Sequence, residues 1–331
     1  MHFTVVNTIS ISCASDEAYY CGLLVTLHSL VSHAKEGSHL VCHVLDTGLS
    51  EKSKTDLLHR LSLIPERSVK VVFHPLDASQ FEGLPEWRGS RTAYGRLLLH
   101  DILKDEDYTI YTDVDTLWLR DVSELWAMRC LVPVLAATPD GSGLREFSSG
   151  AERAEKFSEY GRDIASSGYY CSGLMLMNLK ELRIRNFTEK WCEFIKTSAD
   201  IMRFPDQDVY NWFFQSSDIL YLDYRWGEFA AAYGMREVTS PRVIHYANAA
   251  PWKKGTSAVN ALWWMYVREN IRGLKISRTA YRKSLWFFIL KIPLFFNLIY
   301  GISFLLNRKC YLKRKSAIFL DKKYSCYEKS L

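Results

Sequence analysis

Tyr108-Thr-Ile-Tyr-Thr-Asp-Val-Asp-Thr-Leu-Trp-Leu119 decides how this chain is read. An apolar, β-rich run from Tyr108 to Tyr111 ends at two carboxylates, Asp113 and Asp115, and a second apolar run follows from Thr116. Side chains two apart on extended backbone point to the same side. Both carboxylates can then face one point, where they repel unless a cation lies between them. Hard oxygen ligands with open positions suit Mn²⁺ or Mg²⁺ carrying phosphate groups. A plain Asp-rich turn after a strand is the other reading of the same residues.

Working outward, the segments on either side alternate between β-rich and helical patterns. Thr4–Cys13, Leu40–Leu45, Ser68–Phe73, Tyr108–Thr112 and Leu131–Ala137 read as strands. Between them, Tyr19–His33, Lys54–Leu63 behind a capping Ser50, and Arg91–Leu103 read as helices. After a polar insertion at Gly141–Ser167, a strand resumes at Gly173–Leu179 and a helix at Glu181–Ile195. This alternation predicts an α/β fold with a mainly parallel central sheet flanked by helices. Ligands of such sheets bind beyond the carboxyl ends of the strands. Asp16 and Asp113 both follow strands, so both are expected on that edge. No GxGxxG follows the first strand and no phosphate-binding P-loop is present.

With 331 residues, 48% hydrophobic and 24% charged, the chain has an ordinary globular composition. Its charge is uneven, however. From Lys275 onward thirteen basic residues stand against Asp321 and Glu328, so the body is net acidic although the whole chain is +5. We therefore expect a domain at 1–272 and a basic, apolar-helical region at 273–331. Leu285–Leu306 is apolar enough to approach a bilayer span, but contains Lys291 and Pro293. Basic clusters flank it on both sides, which fits a helix lying on an anionic membrane surface better than one crossing it or a plain core or oligomer helix. These charges do not track a groove, so no nucleic-acid partner is expected. The eight cysteines show no disulfide or metal-finger spacing, which reads as a reducing compartment. No basic-then-apolar leader opens the sequence. The expected location is cytoplasmic, peripherally attached to the inner face of the plasma membrane.

Five blocks in order resemble the retaining glycosyltransferases of family eight, the bacterial lipopolysaccharide and capsule galactosyl- and glucosyltransferase type. They are Ala14-Ser-Asp-Glu-Ala-Tyr19, Thr92-Ala-Tyr-Gly-Arg-Leu97, Tyr111-Thr-Asp-Val-Asp115, Cys171-Ser-Gly-Leu-Met-Leu-Met-Asn-Leu-Lys180 and Pro205-Asp-Gln-Asp-Val-Tyr-Asn211. His245-Tyr246 with Pro251-Trp252 closes the set. The resemblance implies a GT-A fold, a divalent metal (Mn²⁺ or Mg²⁺) and a UDP-sugar donor. It implies a hexose, galactose or glucose, passing from the UDP-hexose to a glycan or lipid-linked glycan acceptor. A self-glucosylating initiator and an inactive nucleotide-sugar-binding scaffold are the rival readings.

The same resemblance implies roles for single residues. Asp113, Asp115 and His245 become the metal ligands, and Asp113 also meets the donor diphosphate. Asp16 and Tyr19 hold the nucleoside, although Asp16 could equally be a helix N-cap. Arg96 lies near the donor; a surface salt bridge is its plain alternative. Asp140 contacts donor-sugar hydroxyls, or serves as a turn residue in Pro139-Asp-Gly141. Asp206 binds the sugar and Gln207 sits near the anomeric carbon, whereas Asp208 and Asn211 are read as structural. Three positions depart from the family's pattern: Cys171 and Ala18 stand where Asn is common, and no lysine precedes Pro251-Trp252. Lys253 or Lys254 is the expected substitute for that lysine.

Overall fold

A computed structural model describes residues 8–86, 90–140, 168–198, 202–229, 240–247, 250–252, 260–271 and 273–274. The insertion expected at 141–167, Lys253, Lys254 and the basic region from 275 onward lie outside the described residues. Nearly all of the expected region 273–331 is therefore outside them too. Among the described residues no helix is long and apolar enough to cross a membrane.

The strands are β1 (Thr8–Ser15), β2 (His39–Asp46), β3 (Ser68–Pro75), β4 (Tyr108–Thr112), β5 (Thr116–Trp118) and β6 (Leu135–Pro139). They continue with β7 (Tyr170–Asn178), β8 (Ile219–Tyr221), β9 (Glu228–Phe229) and β10 (Val243–His245). The helices are α1 (Tyr20–His33), α2 (Glu51–Ser62), α3 (Leu99–Ile102), α4 (Val122–Trp126), α5 (Leu179–Ile184), α6 (Phe187–Ser198), α7 (Pro205–Phe213) and α8 (Asn260–Asn270). Seven strands form one sheet in the order β3-β2-β1-β4-β7-β6-β8, and a small second sheet runs β5-β10-β9. All neighbours in the large sheet are parallel except those of β7, which runs antiparallel to both β4 and β6. The mostly parallel α/β architecture expected from the sequence is present.

One core layer joins α1, α2 and α8 to one face of the large sheet and to the small sheet, and the other packs α3, α5, α6 and α7 on the opposite face. Helix α1 is buried on nearly every side, from Leu23 through Val31. Its two buried hydroxyls have defined partners. Thr26 Oγ1 donates to the Thr116 carbonyl at 2.8 Å, and the Trp118 N–H donates to Ser29 Oγ at 3.1 Å. These bonds satisfy the edge of β5 that β10 does not cover, so a buried polar edge is left without cost. Ser50 caps α2 as expected, accepting from Ser53 N at 3.2 Å.

Two expected helices differ. Arg91–Leu103 is mostly a 3₁₀ segment, Thr92–Leu98, with a single α-helical turn after it. Gly95 within it packs so closely on β2 and on the residue after β3 that a Cβ would lie 2.7 Å from Leu76 and 3.2 Å from Leu45. Glu181–Ile195 is divided into α5 and α6 by Asn186, whose φ of 52° is left-handed. Asn tolerates that conformation, and it ends a helix. The strand expected at Leu131–Ala137 is β6, which starts at Leu135 because Arg129–Leu131 form a 3₁₀ turn.

The α1–α8 contact contains a buried histidine. His28 Nδ1 shares a 2.8 Å hydrogen bond with the Tyr266 hydroxyl. Burial, then the charges of Arg60 and His33, lower its pKa to about 4. The unfolded chain takes up this proton near pH 6.5, so the folded state loses stability as pH falls from 6.5 towards 4. We expect wild type to lose on the order of 2–3 kcal/mol more than His28→Gln across that window. Urea denaturation at both pH values checks this; equal losses would remove His28 as the cause.

Candidate active site

Parallel strands β1 and β4 end side by side, and each delivers an acid to the same edge. Ser15 ends β1 and Asp16 follows it; beyond β4 come Asp113, Val114 and Asp115. Together with Tyr19, Ser90, Thr92, Ala93, Arg96, Tyr111 and Ala250 they line an open cleft. Asp16 does two things there. It caps the short 3₁₀ turn Glu17–Tyr19, accepting from Tyr19 N at 2.9 Å, and it lines the cleft. Tyr19 meets Trp252 edge to face, with ring centroids 5.8 Å apart. Trp252 lies so close to α1 that a Cβ on Gly22 would fall 2.3 Å from its ring.

Asp113 and Asp115 occupy a tight turn between β4 and β5, not extended backbone as the sequence suggested. The turn is closed by Thr116 Oγ1, which donates to the Asp113 carbonyl at 2.9 Å. The carboxylates converge nonetheless, so the turn and the cation readings describe the same residues. His245, at the end of β10, completes a group whose ligand atoms all lie within 4.8 Å of one another. Its Nε2 is 3.6 Å from Asp113 Oδ2 and 3.2 Å from Asp115 Oδ1. β10 pairs with β5 in a register that sets His245 opposite Thr116, which brings the imidazole over the turn.

This trio fits a divalent cation on three counts. Two carboxylates and one imidazole are the donors Mn²⁺ accepts. Asp115 Oδ1 is buried and accepts no hydrogen bond among the described residues. Gly173 leaves the space beside the trio clear: a Cβ there would stand 2.3 Å from His245 Cε1 and 2.9 Å from Asp113 Oδ2. Gly173→Ala is therefore expected to push His245 aside. We expect Mn²⁺ affinity to drop by at least about tenfold, with overpacking costing about 1–3 kcal/mol of stability. Isothermal titration and a thermal melt measure the two effects, and unchanged affinity would show that the ring has room to move.

Electrostatics set the charge of each group. Burial opposes the charge on Asp113, but Arg96 above all, then His245 and Tyr111, hold its pKa below the usual carboxylate range. Burial likewise disfavours charge on His245, yet Asp115 and its other partners raise its pKa well above that of free imidazole. Without a cation the ring thus supplies the missing positive charge.

Arg96 is buried and joins two carboxylates. Its Nη2 donates to Asp113 Oδ1 at 2.7 Å, its Nε lies 3.1 Å from Asp206 Oδ2, and its Nη1 donates to the Ser172 carbonyl and hydroxyl at 2.8 and 2.9 Å. The guanidinium also lies 4.5 Å from the Tyr111 ring centroid. It is not on the surface, and each arm of its fork is engaged by a side chain or carbonyl. Behind it, Asp206 accepts from Ser172 Oγ at 3.0 Å, and burial raises its pKa despite Arg96. Gln207 Oε1 accepts from Ser172 N at 3.0 Å, and its Nε2 donates to Asp140 Oδ2 at 3.2 Å. Asp140, Asp206 and Gln207 thus form one buried group, linked to the cation trio through Arg96 and Ser172. Asp208 accepts from the Tyr169 hydroxyl and from Arg203 N and Phe204 N, and Asn211 bonds Tyr170 on both sides of its amide. Both have structural partners.

Sequence reasoning missed Ser172 and Tyr111. Tyr111 had a signal, because it stands two residues before Asp113; its hydroxyl donates to Asp113 Oδ1 at 3.0 Å. Ser172 had none beyond lying beside Cys171.

The model of the family described as Glycosyl transferase family 8 matches residues 10–256. A lipopolysaccharide 1,2-glucosyltransferase from Escherichia coli is 27% identical over 219 residues, covering 63% of this chain and 59% of its own length. General stress protein A from Bacillus subtilis is 28% identical over 209 residues, covering 61% of this chain and 67% of its own. The match therefore spans about three-fifths to two-thirds of these relatives. The fold is that of the galactosyltransferase LgtC, solved with donor and acceptor sugar analogues, with a TM-score of 0.67 and 22% identity. That likeness covers 83% of this chain and 100% of LgtC. Fold, motif order and family match agree: the chain belongs to glycosyl transferase family 8.

Proposed function

We propose that this protein is a metal-dependent, retaining hexosyltransferase that takes galactose or glucose from a UDP-sugar. The acceptor we propose is a glycan, carried on a lipid, in the assembly of lipopolysaccharide or capsule. The convergence of Asp113, Asp115 and His245 beside an open cleft is the observation that carries this reading. A divalent cation held there would act as a Lewis acid, offsetting charge on the departing diphosphate. Asp16 and Tyr19, which also line the cleft, would hold the nucleoside. Arg96 keeps the Asp113 carboxylate ionised and aimed at the trio.

Retention of configuration needs either a covalent sugar on a carboxylate or departure and attack on one face. Gln207 offers an amide, held at both ends by Ser172 and Asp140, and an amide is a poor nucleophile. Asp208 is engaged by Tyr169 and two backbone N–H groups, and Asp206 by Arg96 and Ser172. These pairings favour same-face substitution, with the departing phosphate oxygen taking the acceptor's proton. A sugar trapped covalently on Asp206 or Asp208 would overturn this.

For location, we propose the cytoplasmic face of the plasma membrane, with residues 273–331 attaching peripherally to anionic lipid. The sequence pattern of basic clusters around Leu285–Leu306 supports it. Carbonate extraction tests attachment, since a pellet resisting high pH and salt would mean a spanning segment. The activity is tested with a UDP-sugar panel, with and without Mn²⁺, scored by UDP release. We expect release with one hexose donor and none after chelation; full release in chelator would refute metal dependence.

A further inference from the structure

Cys171 lies near the start of β7 with its side chain buried. Its sulfur stands 3.7 Å from His245 Nδ1 and also accepts from the Gly173 N–H at 3.4 Å. The other ring nitrogen, Nε2, faces Asp113 and Asp115. One nitrogen of the imidazole is thus turned to the carboxylates and the other to sulfur. A neutral imidazole has a single ring proton, so the partner of one nitrogen decides what the other can offer. Histidines that bind metal ordinarily donate their second N–H to a carboxylate, a carbonyl or water. A thiol holds that place here.

We propose that Cys171 is a positioning residue: its sulfur accepts the Nδ1 proton of His245 and leaves the Nε2 lone pair aimed between Asp113 and Asp115 for a divalent cation. The inference rests on the metal-dependent reading above. The sulfur lies on the Nδ1 side, away from the three converging ligand atoms, so it orients the ring and does not ligate. The ring itself has little freedom. Phe229 stacks on it at 5.4 Å with planes 27° apart, and the position of Gly173 admits no side chain beside it. With the faces fixed by packing, the choice of tautomer is left to the Nδ1 contact. Sulfur suits this, being a weak acceptor that adds no third carboxylate to a site already holding two.

Mn²⁺ dissociation constants, read from the electron paramagnetic resonance of the free ion, test the proposal on the full-length chain. The variants are Cys171→Ala, Cys171→Ser and His245→Ala, each with a thermal melt to check folding. We expect Cys171→Ala to weaken Mn²⁺ binding by about 10–100-fold, as loss of an outer partner of a metal ligand does. Cys171→Ser keeps an acceptor at the same place and should bind within about threefold of wild type. His245→Ala should bind more weakly than either. If Cys171→Ala binds like wild type while His245→Ala does not, the positioning role is overturned and the metal-dependent reading stands. If Cys171→Ser is as weak as Cys171→Ala, packing and not hydrogen bonding is at work, and the role is again overturned. If wild type binds no Mn²⁺, or His245→Ala binds it equally well, both the inference and the metal-dependent reading fall.

Discussion

Asp115→Asn should reduce Mn²⁺-dependent UDP release on the order of a thousandfold while the protein still folds. The carboxylate lies 3.2 Å from His245 Nε2, and its Oδ1 accepts no hydrogen bond among the described residues. Its near neighbour is the His245 ring, and an amide of the same shape fits in its place. A cation loses much more. Lewis-acid stabilisation of a leaving group is worth several kcal/mol, which corresponds to about three decades in rate. In the metal-free protein the substitution relieves repulsion between the two carboxylates but also removes the charge that favours a protonated His245 ring, so a thermal melt beside the assay checks folding. A variant retaining more than a tenth of wild-type release would place the reacting diphosphate elsewhere.

The second large effect is on stability. Arg96→Met leaves Asp206 buried without its cation and removes the closest partner of Asp113. Breaking a buried pair from one side costs about 3–5 kcal/mol, because the remaining charge has no compensation. Arg96→Lys should recover little of this, since an ammonium cannot reach Asp113, Asp206 and Ser172 as the planar fork does. Adding Asp206→Asn to Arg96→Met should return part of the loss, because the stranded charge is then gone. Urea denaturation of the three variants measures these terms. A loss below about 1 kcal/mol for Arg96→Met, the range of exposed pairs, would show that water reaches the cluster and screens it.

What the sequence revealed follows from the range of the forces involved. β-rich runs and apolar spacing are local, so β1 to β4, α1 and α2 could be read within a few residues. The carboxylate pair could be located because it sits at a strand end, and the order of motifs supplied the rest of the site's members. Tertiary causes stayed hidden. The 3₁₀ form of Thr92–Leu98 reflects the close packing of Gly95 on Leu45 and Leu76, which no pattern within that segment encodes. The small sheet joins Thr116–Trp118 to Val243–His245, and three-residue strands carry too little periodicity to detect. Ser172 was missed for a similar reason. Its partners Arg96, Asp206 and Gln207 come from distant parts of the chain.

The β5–β10 pairing also bears on how the protein is made. Both aspartates leave the ribosome more than a hundred residues ahead of His245. At about 5–20 residues per second, that is a delay on the order of ten seconds. Until β10 docks on β5, a nascent chain has two facing carboxylates and no imidazole to share a cation with them. On the metal-dependent reading, tight capture of the ion would then be a property of the finished domain alone. A cation at a hundred times its dissociation constant would add about 2.7 kcal/mol to the completed fold and little to a truncated one. The cell's divalent ion pool would in this way favour chains that have been synthesised through His245 over those that have not.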